Sequence, residues 1–88
     1  MTCYLVSCEF NADDEYEDFA ATVDEYPAWR HLFGTQWFIC SEDSAEEVYR
    51  NLSQYLFDGD FIFVCDIGDE YASYLPKETV EWMKNNLD

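Results

Sequence analysis

The carboxylates between Asn11 and Tyr26 are the residues best suited to chemistry in this sequence. The stretch "NADDEYEDFAATVDEY" holds seven of them and no base. Ionised carboxylates only accept hydrogen bonds, so a dense row of them pairs with cationic donors such as Arg and Lys. The segment therefore predicts a surface that binds a basic partner. Its acids are Asp13, Asp14, Glu15, Glu17, Asp18, Asp24 and Glu25.

A second acidic group stands in "SEDSAEEVYRNLSQYL", with Glu42, Asp43, Glu46 and Glu47. Both segments also carry apolar residues at helical spacing, so we expect the acids to occupy the outer sides of two helices. Asp24 and Glu25 would fall in the last turn of the first helix, where the helix dipole disfavours negative charge. Helix stability therefore does not explain them, and binding to a partner does.

The charge of the whole chain points to the same kind of partner. Twenty acids against four bases give a formal net charge of −16 at pH 7. A nucleic-acid binder normally displays a basic stripe that displaces counterions from phosphates, and the four bases here are few and scattered. We therefore expect a basic protein partner and no direct binding of nucleic acid. General solubility or a salt-rich habitat is the alternative explanation of the charge.

Two acids at predicted strand ends allow a different chemistry. Glu9 closes the first apolar run and Asp60 opens the last, and the two lie close if those strands pair antiparallel. Asp66 would then lie about 20 Å away, at roughly 3.3 Å per residue, and cannot join them. The alternative is that Glu9, Asp58 and Asp60 are only an acidic strand end and turn. His31 has no Cys, Ser or Asp pattern around it and is predicted to be structural or at the surface.

The cysteines and the apolar runs indicate in which cellular compartment the protein is expected. Cys3, Cys8, Cys40 and Cys65 show no C-x-x-C spacing and lie in apolar runs. They are predicted to be buried free thiols in a reducing cytosol, without a disulfide or zinc. The N-terminus has no signal-peptide pattern, and no run approaches the ~20 apolar residues of a membrane span. We therefore expect a soluble cytoplasmic protein with no membrane contact.

The elements that would position these residues follow from hydrophobic periodicity. "TCYLVSCEF" is predicted to be a central strand, apolar on both faces. The acidic stretch forms one helix, which Pro27 ends. Its buried stripe consists of Tyr16, Phe19, Ala20, Val23 and Tyr26.

The middle and end of the chain give three further elements. Residues 29–33 and 36–40 form a hairpin that turns at Gly34. Ser44 and Glu47 fit the capping box of a second helix, whose buried stripe consists of Ala45, Val48, Leu52, Tyr55 and Leu56. Residues 61–67 form a fourth strand.

The order β-α-β-β-α-β predicts an α+β, ferredoxin-like domain, in which both helices cover one face of a four-stranded antiparallel sheet. We expect a single domain over 1–88, with the core in 1–67 and a C-terminal extension in 68–88. Pro76 opens a short helix there, with Val80, Met83 and Leu87 on its apolar side. The strands are apolar on both faces, so the tail, a second copy of the chain, or both must cover the second face.

The chain resembles a known family in several short motifs. These are "YLVSCEF" ending in an acid, "WRHLFGTQWFIC", "SAEEVYRNL", "GDFIFVCDIG" and "EWMKNNL". They resemble the SinR-like branch of the Cas-two-like family, small ferredoxin-like relatives of the CRISPR adaptation subunit and, more distantly, of VapD-type toxin ribonucleases. The resemblance implies a ferredoxin-like fold and a homodimer.

For some relatives the resemblance also implies a metal-dependent phosphodiesterase. The acid that closes the first strand then sits at the dimer axis and holds a divalent cation with its twin. That position is Glu9 here, where the family usually has aspartate, and the longer side chain changes the distance to a shared Mg²⁺. With a charge of −16 per chain, the field repels a polyanion instead of attracting it.

Three functions follow as hypotheses. The first is an acidic inhibitor that imitates nucleic-acid phosphates and blocks the basic groove of a nucleic-acid-binding protein, as phage-encoded anti-CRISPR and anti-restriction proteins do. It would need no cofactor and would act in the host cytoplasm. The second is a Cas-two-like endonuclease, with Glu9 as catalytic residue and Mg²⁺ or Mn²⁺ at Glu9 and Asp60. The third is a dimeric antitoxin or structural subunit.

Overall fold

The computed structural model describes residues 1–87 and is an α+β domain with a four-stranded antiparallel sheet and three helices. The predicted class and the antiparallel sheet are thus confirmed. The elements in chain order are β1 (Thr2–Glu9), α1 (Glu17–Asp24), β2 (Ala28–His31), β3 (Gln36–Ser41), α2 (Ala45–Ser53), β4 (Phe61–Asp66) and α3 (Lys77–Asn86).

The sheet has the order β2-β3-β1-β4, so β1 is a central strand as its apolar residues on both faces predict. It pairs antiparallel with β3, with Tyr4 opposite Ile39, and antiparallel with β4, with Glu9 opposite Phe61. β2 and β4 are the edge strands. The predicted hairpin is present between β2 and β3, and Gly34 in its turn has a φ of 53° that favours glycine.

Helices α1 and α2 both pack on the first face of the sheet, where the main core lies. Val6 and Ile39 from the sheet meet Phe19 of α1 and Leu52 of α2, and all four are almost fully buried. The helices meet this face because their apolar residues recur at the helical period. The outer sides of both helices are left for their acids.

Helix α1 is shorter than predicted, because the chain before Glu17 forms a loop. Tyr16, the residue before the helix, has left-handed backbone angles (φ 55°, ψ 39°), and its N–H donates to Asp14 Oδ1 at 2.7 Å. Such local side-chain hydrogen bonds compete with helix formation. The prediction of one buried stripe was also wrong at Ala20, which is exposed, while Thr22 is buried.

Helix α2 begins as the sequence predicts. The Ser44 hydroxyl accepts from the Glu47 N–H at 3.2 Å, and the Glu47 carboxylate accepts from the Ser44 N–H at 2.9 Å. This is a complete capping box. Val48 and Leu52 are buried, as the predicted stripe requires.

The C-terminal helix α3 covers part of the second face of the sheet. The Trp82 ring stacks on the Phe38 ring at a centroid distance of 5.8 Å, and Arg30 Nε donates to Thr79 Oγ1 at 3.2 Å. These contacts lie over β2 and β3. The tail therefore supplies part of the expected cover, and the β4 side of this face stays open.

The prediction of four buried free thiols was wrong. Cys3 and Cys40 lie directly opposite each other on β1 and β3, with a Cα–Cα distance of 4.0 Å, and form a disulfide. Cys65 is exposed, and Cys8 alone is a half-buried free thiol. The error arose because linear spacing does not show which residues a sheet register places side by side. Disulfides are typical of oxidising compartments, so the cysteines no longer support a reducing cytosol.

Across residues 1–87, none of the helices combines the length and the apolar content needed to cross a membrane.

Candidate functional site

The candidate site is the outer surface of α1, α2 and the loops before them, here called the acidic face. Every carboxylate predicted to bind a partner is exposed on it. Since α1 and α2 pack on the same face of the sheet, their acids lie on the same side of the domain. The acidic face consists of Asp13, Asp14, Glu15, Glu17, Asp18, Asp24, Glu25, Glu42, Asp43, Glu46 and Glu47.

A cleft of about 660 Å³ lies between the start of α1 and the end of α2. Five acids of the acidic face, from Asp13 to Asp18, border it. Its other walls include Phe19, Leu56 and Phe57, and the Phe57 ring meets Tyr16 edge to face at 5.6 Å. The cleft is therefore lined by both carboxylates and apolar or aromatic side chains. The sequence did not indicate Phe57, because it stands in a turn outside the predicted helical stripe.

A second, smaller cavity of about 210 Å³ brings together acids from the two segments. Glu25 at the end of α1 and Asp43 before α2 both border it. Between them, Asn51 Nδ2 donates to the Tyr26 hydroxyl at 2.9 Å and ties α2 to the end of α1. Seven of the predicted acids therefore line one of the two cavities, five at the large cleft and two at the smaller one. Glu42, Glu46, Glu47 and Asp24 border neither cavity.

Few cations balance the acidic face. Among residues 1–87, its ion pairs are those of Glu42 with the Met1 amino group at 3.5 Å and of Glu46 with Arg50 at 3.2 Å. Both pairs are exposed, and such pairs contribute little. The Ser44 backbone N–H and hydroxyl lower the pKa of Glu47. The other carboxylates of the face remain available to an external cation.

The Asp60 carboxylate, beside the acidic face, accepts hydrogen bonds from several parts of the chain. It accepts from the backbone N–H of Asn11 at 2.7 Å, from that of Phe57 at 2.9 Å, and from the Tyr16 hydroxyl. Burial raises the pKa of Asp60, but these hydrogen bonds together outweigh it and hold the pKa below its ordinary value. Glu9 Oε2 accepts from Asn11 Nδ2 at 3.1 Å, so Asn11 lies between the two acids.

This arrangement bears on the predicted metal site. Glu9 and Asp60 are neighbours across the β1–β4 pair, as expected, and Asp66 lies at the far end, opposite Tyr4. In the part of the chain that is described, no group of three or more His, Cys, Asp or Glu side chains could hold a metal ion. Both oxygens of Asp60 are also engaged in hydrogen bonds. The endonuclease hypothesis stays a prediction.

His31 takes part in the β2–β3 turn. Its Nε2 lies 2.7 Å from the Gly34 carbonyl oxygen, and its ring lies 5.5 Å from the Trp37 ring. This agrees with the prediction of a structural or surface histidine.

No protein-family model, curated protein or solved structure matches the chain.

Proposed function

We propose that this protein is an acidic inhibitor that occupies the basic groove of a nucleic-acid-binding protein. One observation carries the proposal: eleven exposed carboxylates lie on the helices and loops of one side of the domain, with two exposed ion pairs among them. Duplex DNA carries about one negative charge per 1.7 Å of its axis, and a groove built for that density also accepts dense carboxylates. Arg forks pair with carboxylates as they do with phosphates.

The large cleft suggests how individual basic side chains are held. An Arg side chain that entered this cleft would find carboxylates such as Asp14 and Glu17 and the Phe57 ring among the groups that line it. Arginine favours stacking on aromatic faces. The cleft therefore supports Arg over Lys as the main residue of the partner.

The proposed partners are nucleic-acid-binding enzymes of host defence. Restriction enzymes and RNA-guided nucleases hold their substrates in positively charged channels, and an acidic mimic competes for such a channel. The proposal places this protein among phage-encoded anti-restriction or anti-CRISPR proteins.

The ferredoxin-like arrangement is part of the same proposal. It is supported by two strand–helix–strand connections, β1-α1-β2 and β3-α2-β4, each of which passes over one antiparallel neighbour. Both crossing helices lie on the same face. That is the pattern of the split βαβ motif.

Displacement of DNA tests the proposal. A purified restriction enzyme and a purified RNA-guided nuclease, each bound to a labelled DNA duplex, are titrated with this protein. We expect it to displace the duplex from at least one of them and to lose this ability steeply as salt is added. The decisive variant carries Glu17→Gln, Asp18→Asn, Asp24→Asn and Glu25→Gln.

The matched control removes the same amount of charge elsewhere, with Asp66→Asn, Asp69→Asn, Glu70→Gln and Glu81→Gln. We expect the control to displace DNA like the wild type, while the acidic-face variant fails. If both variants lost DNA displacement equally, net charge alone would explain the displacement, and this would contradict a defined binding face. Failure of the wild type with both enzymes at low salt would reject these partner classes.

A further inference from the structure

The open part of the second sheet face carries two aromatic residues that solvent reaches. Phe61 and Phe63 of β4 are 63% and 64% exposed, and their side chains point away from α1 and α2. The register of β1 places Ser7 beside Phe63 and half-buried Leu5 beside Cys65. Exposed aromatic pairs on a strand mark contact surfaces more often than isolated apolar residues do. This surface lies across the sheet from the acidic face.

The backbone of β4 is also open on its outer side. β4 ends the sheet, and between residues 1 and 87 no backbone-to-backbone hydrogen bond reaches it except from β1. Soluble proteins usually protect such an edge with Lys, Pro or a bulge. The strand "FIFVCD" contains neither Lys nor Pro. The edge is thus a regular template for one more strand.

Acids bracket this edge at both ends, and no base lies near it in sequence. Asp58 and Asp60 precede Phe61, and Asp66, Asp69 and Glu70 follow Phe63. From residue 51 to residue 76 the chain has no Arg or Lys. A segment that pairs with β4 would therefore meet apolar rings in its middle and negative charge at both ends, roughly 17 Å apart for a six-residue strand.

We propose that the edge of β4 binds an extended segment of a partner protein, which adds to the sheet as a further strand. The segment has apolar residues at alternate positions, which pack on Phe61 and Phe63, and Lys or Arg at both ends. Strand addition supplies main-chain hydrogen bonds for affinity and alternate side chains for specificity. The site uses none of the residues of the acidic face and stands independently of the proposed function.

Charge selects this occupant over a second copy of the chain. Two copies that paired antiparallel through the middle of β4 would bring the acidic start of one strand, at Asp60, against the acidic end of the other, at Asp66. Like charges directly opposite each other on a sheet are destabilising. Each copy would also bring a net charge of −16. A basic segment meets the same acids with attraction.

The probe that tests the proposal is the peptide Lys-Lys-Val-Thr-Val-Thr-Val-Lys-Lys, labelled for fluorescence anisotropy. We expect binding at low salt by the wild-type protein and by the acidic-face variant, and a Kd about tenfold or more higher in Phe61→Ser/Phe63→Ser. Both rings are exposed, so this variant keeps its core. A peptide with Glu in place of Lys should not bind.

Backbone methylation separates strand addition from simple apolar contact. One peptide is N-methylated at its Val residues and a second at its Thr residues, so each loses the N–H groups on one side of the strand. We expect one of the two to lose binding and the other to keep it, because only one side faces β4. Equal binding by both peptides would overturn strand addition.

Alkylation of Cys65 locates the peptide. Cys65 is exposed on the same face as Phe63, while burial, followed by the charge of Asp60, raises the pKa of Cys8 to about 12 and makes that thiol unreactive. Bound peptide should slow iodoacetamide labelling of Cys65 by about tenfold at saturation. Unchanged labelling of Cys65 in the presence of the peptide would contradict the proposal. A wild-type protein that is a dimer by light scattering and does not bind the peptide would also contradict it.

Discussion

The Tyr16 hydroxyl lies 2.9 Å from each carboxylate oxygen of Asp60, although the two residues are 44 positions apart. The same hydroxyl accepts from the Ala12 N–H at 2.9 Å. One side chain therefore joins the loop before α1 to the start of β4. The Asp13–Glu15 part of the acidic face is carried on a loop that this contact holds in place.

Removal of the Asp60 charge should loosen that loop. Asp60→Asn keeps the shape of the side chain but weakens the hydrogen bonds from Asn11, Phe57 and Tyr16. We expect a lower Tm at pH 7, measured by circular dichroism. The exposed acid nearby provides a control: Asp58→Asn should leave Tm close to that of the wild type.

The same pair predicts a pH dependence. The pKa of Asp60 is lower in the folded protein than in the unfolded chain. Its contribution to folding stability is therefore complete above the ordinary carboxyl pKa of about 3.9 and is lost as pH falls through the lower, folded value. The Tm difference between wild type and Asp60→Asn should therefore be constant from about pH 7 to pH 5 and shrink below about pH 4. A difference that grew in acid would contradict this assignment.

The Cys3–Cys40 disulfide should contribute substantially to stability. It joins residues 37 positions apart, and reduction should lower the free energy of unfolding by about 2–4 kcal/mol, as cross-links of this span do. Urea unfolding with and without a phosphine reductant measures the effect. The double variant Cys3→Ser/Cys40→Ser should be insensitive to the reductant, and thiol titration of unfolded wild type should find two free thiols rather than four.

We expect the Asp24 charge to lower the free energy of unfolding and, at the same time, to strengthen binding to the basic partner. Asp24 ends α1, whose last turn has no basic residue, so its charge opposes the helix dipole. We expect Asp24→Asn to raise the free energy of unfolding by about 0.3–1 kcal/mol in low salt and to weaken DNA displacement. The gain should fall in high salt, whereas Glu17→Gln at the helix start should show no gain. A loss of stability in Asp24→Asn would contradict the dipole argument.

The Ser44 cap should stabilise α2 and therefore the second half of the acidic face. Ser44→Ala removes the acceptor of the Glu47 N–H and should reduce the free energy of unfolding by about 0.5–2 kcal/mol. Chemical unfolding measures it. Ser44→Asp keeps an acceptor at the cap and should restore stability, while a variant as weak as Ser44→Ala would show that the cap is not the cause.

Metal-dependent cleavage of nucleic acid is not expected. Both carboxylate oxygens of Asp60 already accept hydrogen bonds, so among residues 1–87 the acid across the strand pair from Glu9 is not free to share a metal ion with it. Wild type with Mg²⁺ or Mn²⁺ should leave labelled single-stranded RNA and DNA intact. Cleavage that Glu9→Ala abolishes would favour the endonuclease hypothesis instead.

The sequence predicts those features that local periodicity and capping determine. β1 and α2 agree closely with the prediction, because "TCYLVSCE" is apolar on both faces and the Ser44 box marks a helix start. The predicted start of α1 was wrong. The local bond from the Tyr16 N–H to Asp14 competes with the helix there, and Asp60, remote in sequence, holds the preceding loop by accepting hydrogen bonds from Asn11 and Tyr16. The disulfide and the aromatic wall of the cleft were missed for the same reason. Both depend on which distant residues the sheet and the helices place together.

The central place of β1 has a consequence for synthesis on the ribosome. β1 precedes both of its neighbours in the chain, and its second neighbour, β4, ends at Asp66. The nascent chain therefore carries a strand that is apolar on both faces, whose first partner β3 is complete only at Ser41 and whose second edge stays unpaired until most of the domain has left the exit tunnel. At about 5–20 residues per second, synthesis from β1 to the end of β4 takes several seconds. Net charge away from zero favours solubility, so we expect the acids that follow β1 to oppose aggregation during that time.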